Sequence, residues 1–351
     1  MRIAPIAAGM AAVLAAAAAW LYVEFRRDIT AHEARVATGS RLVDTRCGPI
    51  ELAEAGQGDP LLLVHGTGGG FDQAMLMGRD YVARGFRVIA PSRFGYLRTP
   101  YPSDPSPEAQ ADQFACLLDV LGVARVAIMG VSAGAHSAMQ FAIRHPERTS
   151  ALLLLVPAVY KPADVPSSAP KLSPLGEKAL MTLVTADFPF WFTLRFAPDT
   201  ALRMVLATPP EDYAAAGAAE RQRADEVLAA ILPISARRSG ILNDARTSAD
   251  PPRYALESIR APTLAISVRD DLYGTYAAAQ YTAQHVAGAQ FIGFERGGHG
   301  WLGHHAEIIQ RTTALMRAAG GAGTAPVQEG AVKLLSSTEV LNTAAVSAPG
   351  R

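Results

Sequence analysis

The chain of 351 residues has little cysteine, no excess of charge of either sign and no basic block. Its two cysteines, Cys47 and Cys116, are a poor basis for a disulfide framework. Cys116 falls in the helical pattern Phe114-Ala115-Cys116-Leu117-Leu118 and reads as a buried core residue. Lys plus Arg and Asp plus Glu number 32 each. With no basic cluster, there is no electrostatic footprint for nucleic acid. The glycine run 66–70 is not followed by Gly-Lys-Ser/Thr, which disfavours a phosphate-binding loop. His299, His304 and His305 have no accompanying cysteine or acid cluster, so no metal and no cofactor is expected.

Half the residues are hydrophobic and 18% are charged, a globular composition rather than a disordered one. The length allows one domain with an insertion, or two domains. Residues 3–23 are almost entirely apolar, between Arg2 and the group Glu24, Arg26 and Arg27. A run of about 20 such residues can span a bilayer as a helix. Trp20 and Tyr22 suit its water interface. Residues 1–27 therefore read as a transmembrane anchor, or as a signal peptide with small-residue cleavage sites in the alanines 15–19. Charge does not set the orientation, because Arg2 and the amino terminus balance Arg26 and Arg27.

Beyond the anchor, residues 35–55 read as a strand pair with turns. Continuous apolar runs then alternate with helical patterns. Strands are expected at 61–64, 86–90, 126–129, 151–156, 262–267 and 290–294. Helices are expected at 71–84, 107–121, 133–144, 275–286 and 302–318. This rhythm specifies an α/β fold with a mostly parallel central sheet and helices on both faces. It breaks between residues 161 and 259, where helical patterns at 175–185, 188–206, 211–231 and 235–245 occur without a clear strand. These read as an inserted helical cap. Phe188, Trp191, Phe192 and Phe196 fall at helical spacing within it, as core packing or as the lining of an apolar pocket. Residues 28–160 and 260–319 form the core. Residues 320–351, rich in Ala, Gly, Ser and Pro, read as a disordered tail.

In open parallel sheets, ligands bind beyond the carboxyl ends of the strands. Four chemically suggestive segments lie there. Gly130-Val131-Ser132-Ala133-Gly134 follows a strand and opens a helix, as a sharp turn that lifts a serine hydroxyl above the sheet. His65-Gly66-Thr67-Gly68-Gly69-Gly70 follows another strand, with backbone N–H groups able to approach a ligand. Asp270 and Asp271 follow a third, and His299 sits between Gly298 and Gly300 after a fourth.

The order Ser132, then Asp270/Asp271, then His299 resembles that of the α/β-hydrolase fold superfamily over about residues 35–319. The 65–68 segment resembles its oxyanion loop, and the insertion resembles its cap. The resemblance implies Ser132 as nucleophile, His299 as general base and Asp271 as the acid, with Asp270 as alternate. Val268 stands where the superfamily's acid turn has Gly, which leaves a one-residue choice. The oxyanion donors would be the N–H groups of Thr67 and Ala133, with Gly68 as alternate. The implied reaction is hydrolysis of an ester or related acyl bond of a partly apolar small molecule, through an acyl-enzyme. Hydrolysis of a carbon–carbon bond in a diketone-like substrate, and cofactor-free haloperoxidase or perhydrolase chemistry, would use the same three residues. A non-catalytic binding member of the fold would be expected to lack one of them.

Overall fold

A computed structural model describes residues 4–162, 173, 175–176, 181–182 and 184–320. The tail expected at 320–351 lies outside these residues from 321 onward, as does part of the helical pattern at 175–185.

Among the described residues, eight strands form one sheet in the order β1-β2-β4-β3-β5-β6-β7-β8. They are β1 (Arg41–Val43), β2 (Ile50–Ala55), β3 (Pro60–Val64), β4 (Arg87–Pro91), β5 (Val126–Val131), β6 (Thr149–Leu155), β7 (Thr263–Val268) and β8 (Gln290–Phe294). β2 pairs antiparallel with β1 and β4, and every pair from β4 to β8 is parallel. The apolar runs are continuous because both faces of the sheet are covered. Side chains alternate across a strand. Leu62 and Val64 therefore join one core with Phe114 and Phe141, while Leu61 and Leu63 join the other with Tyr81 and Ile308.

The first core lies under α3 (Pro107–Val120), α4 (Gly134–Arg144) and α10 (Thr275–His285). The second lies under α2 (Phe71–Val82) and α11 (His305–Gly320). The last helix starts three residues later than its periodicity suggests, after a turn at residues 300–303.

The helical insertion comprises α5 (Asp187–Phe196), α6 (Pro198–Met204), α7 (Pro210–Ala215), α8 (Ala218–Ala229) and α9 (Arg238–Ala249). Two of the long expected helices are each split. Pro198 cannot donate an N–H to a helix interior, so it starts a new helix, and Gly217 separates α7 from α8. The insertion has its own core around Phe190, Trp191, Leu202, Leu228, Ile231 and Ile241. Within the expected aromatic set only Trp191 is buried; Phe188, Phe192 and Phe196 are exposed.

Two features depart from the sequence reading. The N-terminal helix α1 runs from Ala4 to Ala37, well past the apolar segment, so the strand pair begins only at Arg41. Its second half packs on the insertion: Ile29 is buried in the insertion core, and Asp28 accepts a hydrogen bond from Trp191 Nε1 at 3.0 Å. Arg35 donates to the Leu232 carbonyl at 2.7 Å and pairs with Asp72. The cysteines also depart from expectation. Cys116 is buried, and its sulfur is bonded to that of Cys47 across a separation of 69 residues. Such a pairing depends on how α3 lies against the β1–β2 loop, which spacing does not encode.

Candidate active site

Ser132 caps β5 with φ of 52°, in the left-handed region that non-glycine residues enter at a cost of about 1–2 kcal/mol. The sequence tolerates this turn because Gly130 and Gly134, two residues to either side, have no side chains. A Cβ on Gly130 would lie 2.6 Å from the Ala135 Cα, and one on Gly134 would lie 2.5 Å from the His65 carbonyl oxygen. The β5–α4 turn and the 65–68 loop are thus pressed together. The backbone N–H groups of Thr67 and Ala133 have no partner among the described residues, whereas the N–H of Gly68 points at the Tyr96 hydroxyl at 3.4 Å.

Ser132, Thr67, Ala133 and His299 line one cavity of about 800 Å³. Met77, Val159, Phe190, Leu206 and Ile231 supply much of its wall, so the site opens onto apolar surface from both core and insertion. Arg223, also on the wall, donates to Glu220 and to the Gly300 carbonyl at 2.7 Å each.

His299 and Asp271 are brought together: Nδ1 lies 2.8 Å from Asp271 Oδ2, and both residues are buried. The carboxylate is fixed on its other sides. Its Oδ1 accepts the Tyr273 N–H at 2.8 Å, and its Oδ2 accepts from the Thr275 hydroxyl. Tyr273 also stacks edge-on against the imidazole, with ring centroids 5.0 Å apart. A carboxylate at Nδ1 favours the tautomer in which Nδ1 carries the hydrogen and Nε2 is free to accept one.

Asp270 is placed elsewhere. Its Oδ1 accepts the Gly298 N–H at 2.8 Å, and its carboxyl group hydrogen-bonds that of Asp212 in α7. Burial, together with the hydrogen bond to Asp212, pushes the Asp270 pKa up to about 6. Burial would also raise Asp212, but hydrogen bonds from Asp270, Arg296 and the Gly297 N–H hold its carboxyl below the ordinary value.

Sequence reasoning missed two devices by which the insertion reaches into this site. The first is Ala207, in a left-handed conformation with φ of 42°. Its carbonyl accepts the Leu272 N–H at 3.1 Å and the His299 N–H at 3.3 Å, tying the acid loop to the histidine loop. The second is Asp244 in α9. It is buried and takes two hydrogen bonds from Arg93, at 2.7 and 2.6 Å, one from Tyr96 at 2.5 Å and one from the Thr67 hydroxyl at 2.9 Å. Arg93 in turn donates to the His65 carbonyl at 2.9 Å, and its N–H donates to His65 Nε2 at 3.0 Å. Burial alone would raise the Asp244 pKa, but the Arg93 charge and these donors hold it below its ordinary value. No local pattern in the sequence marks Asp244 or its partner Arg93. Among the described residues no group of His, Cys, Asp and Glu side chains forms a metal site.

The comparisons with known proteins agree with this architecture. The sequence profile of the alpha/beta hydrolase fold matches residues 59–302 of the 351. A 2-hydroxy-6-oxononadienedioate/2-hydroxy-6-oxononatrienedioate hydrolase of Paraburkholderia xenovorans is 29% identical over 278 residues, covering 75% of this chain and 89% of that protein. An alpha/beta hydrolase fold protein from Nakamurella multipartita superposes with a TM-score of 0.61 at 27% identity, over 80% of this chain and all of the other. An esterase from Exiguobacterium antarcticum superposes with a TM-score of 0.60 at 18% identity, over 79% and 98% of the two chains, which speaks for the fold alone. With its sheet order, its serine turn at the end of β5 and a profile match spanning both halves of the core, the chain belongs to the α/β-hydrolase fold family.

Proposed function

We propose that the protein is a serine hydrolase that cleaves an ester or related acyl bond, with Ser132 as nucleophile, His299 as general base and Asp271 as the acid that orients it. The observation that carries this reading is the hydrogen-bonded His299–Asp271 pair opening onto the same cavity as Ser132. A serine hydroxyl is a weak nucleophile until a neighbouring base takes its proton as the new bond forms. His299 Nε2 accepts that proton, Asp271 stabilises the resulting imidazolium, and the imidazolium then protonates the leaving alcohol. The tetrahedral oxyanion is received by the free N–H groups of Thr67 and Ala133, each such donor being worth roughly 3 kcal/mol in similar sites. Thr67 is preferred over Gly68, whose N–H is directed at Tyr96. Water then attacks the acyl-enzyme by the same proton route, releasing the carboxylic acid and restoring Ser132.

The Paraburkholderia relative favours a second reading, hydrolysis of a carbon–carbon bond in a diketone-like substrate. Its substrates are dianionic by name, and a dianion needs cations at the cavity wall. Among the described residues two cations line the wall, Arg223 and Lys161. Arg223 is committed to Glu220 and the Gly300 carbonyl, Asp244 and Asp250 add negative charge, and the rest is dominated by apolar side chains, which suit an acyl chain better. An ester panel of graded chain length, run beside a ring-cleavage dienoate, separates the two. A fluorophosphonate probe should label the native protein and not Ser132→Ala. Equal labelling of the two proteins overturns the nucleophile assignment.

For location, the same reading has the protein held in a membrane by the first part of α1. Residues Gly9–Ala37 form a helix long and apolar enough to cross a bilayer, and its apolar part is exposed. The Cys47–Cys116 disulfide favours the oxidising side for the catalytic unit.

A further inference from the structure

The insertion carries an exposed aromatic row that the catalytic reading does not use. Phe188, Phe192 and Phe196 recur every four residues along α5 and are 40%, 42% and 50% exposed. Large apolar side chains gathered in the open mark a contact surface rather than chance. The row is continuous with the N-terminal helix. Phe25 of α1 meets Phe188 edge-on at 5.2 Å, Phe188 lies 6.1 Å from Phe192, and Phe192 lies 4.7 Å from Phe196.

The height of this row relative to a bilayer follows from α1. The exposed interfacial residues Trp20 and Tyr22 lie five and three positions before Phe25. At about 1.5 Å per residue, Phe25 is only about 8 and 5 Å further along the axis. The headgroup layer on each side of a hydrocarbon core is of that same thickness, roughly 5–8 Å. The helix cannot swing the insertion away. Asp28 is bonded to Trp191, Ile29 is buried in the insertion core, and Arg35 is bonded to Asp72 and the Leu232 carbonyl. The opposite face of α5 carries Phe190, which is buried and lines the cavity. One helix thus separates the aromatic row from the candidate active site.

We propose that Phe188, Phe192 and Phe196 dock in the interfacial layer of the bilayer that holds α1, and that the cavity draws its acyl substrate from that layer, a membrane-resident lipid ester. The substrate half rests on the hydrolase reading above; the docking half does not. Burying three phenylalanines beside an inserted helix fixes the tilt of the whole unit on the membrane, because it adds a second, lateral contact to the first. A lipid ester would then cross only the thickness of α5 to reach Ser132, without leaving for water.

The test uses the full chain reconstituted in phosphatidylcholine vesicles. In a Trp20→Phe background, Phe192→Trp adds one fluorophore on the row, and vesicles with brominated acyl chains should quench the added emission by at least half. Quenching no greater than in Trp20→Phe alone overturns the docking, including the case in which the row is covered by a second copy of the chain. Separately, Phe192→Glu/Phe196→Glu should leave turnover of a water-soluble butyrate ester within twofold. Hydrolysis of a long-chain monoacylglycerol carried in the vesicles should fall at least tenfold. An unchanged ratio of the two rates overturns the lipid-delivery half. Quenching with no hydrolysis of either ester by the native chain leaves the docking standing and removes the hydrolase reading instead.

Discussion

The two adjacent acids after β7 make the sharpest test of the site, because they differ by one residue and are predicted to differ greatly in effect. In Asp271→Asn, Oδ1 can still accept the Tyr273 N–H, which places the amide NH₂ where Oδ2 now meets His299 Nδ1 and the Thr275 hydroxyl. An NH₂ facing Nδ1 forces that nitrogen to accept, so the ring hydrogen moves to Nε2, where it can no longer take the proton of Ser132. The same change of tautomer in other serine hydrolases lowers kcat on the order of 10⁴-fold, roughly 5.5 kcal/mol of transition-state stabilisation. In Asp270→Asn, Oδ1 keeps the Gly298 N–H, the Gly297 N–H loses Oδ2 but retains Asp212 Oδ2 as acceptor, and the new NH₂ can donate to Asp212, so the histidine loop keeps its shape. Its kcat should stay within about threefold of the native value, since no group at the reaction centre changes. Turnover of a p-nitrophenyl ester, with a melting curve for each variant, measures both. A larger loss in Asp270→Asn than in Asp271→Asn would refute the assignment, as would an Asp271→Asn enzyme within tenfold of the native rate. The pair also predicts a pH signature. Asp270, with its pKa raised to about 6, keeps a proton in the folded state that an unfolded aspartate releases near pH 4. Folding therefore takes up a proton between those values, and this carboxyl lowers stability as pH rises through that window. Asp270→Asn should melt progressively higher than the native protein from pH 4 to 6, with the difference level above it. A difference that shrinks as pH rises would be the wrong sign.

Two further predictions concern elements that hold the site in place. Asp244→Ala leaves the buried Arg93 without its counter-ion and should destabilise the fold by about 3–5 kcal/mol in urea denaturation, with kcat falling more than KM rises as the Thr67 loop loosens; a loss under about 1 kcal/mol would show that the cluster does not support the loop. Reducing the Cys47–Cys116 bond frees a 69-residue separation and should cost up to about 4 kcal/mol, read as a lower Tm in dithiothreitol. Two titratable thiols in the denatured but unreduced protein would refute the link itself.

The core of this fold was readable because each element repeats its signal locally. Leu61–Val64 and Val126–Val131 are continuous apolar runs ending in glycine-rich turns, and only a two-sided parallel strand answers to both facts. Ser132, the pair Asp270 and Asp271, and His299 stood out because each follows a strand, while the preference for Asp271 over Asp270 came from the family resemblance alone. The support for those residues was not readable. Asp244 contacts Arg93 across 151 positions, and the Ala207 carbonyl serves the N–H groups of Leu272 and His299, 65 and 92 residues later. Such contacts depend on how the insertion settles on the core, and no periodicity of 2 or 3.6 records that. Helix ends were also misplaced wherever tertiary contact overrode local preference. The clearest case is α1, which the apolar pattern ends near residue 23 and packing extends to Ala37.

The binding of α1 to the insertion also constrains the order in which the protein can be made. The chain leaves the ribosome amino terminus first, and domains fold as their residues appear. Arg35 emerges early, yet its carbonyl partner at Leu232 lies 197 residues downstream. Ile29, 1% exposed in the finished protein, must wait for Phe190 and Trp191 before anything covers it. During that interval the first helix has only its own apolar half to hold it. With α1 anchored as proposed, membrane insertion would precede folding and supply the fixed wall against which the insertion is later assembled. On the anchoring proposed above, maturation is a two-step event in which anchoring comes first and the insertion settles last.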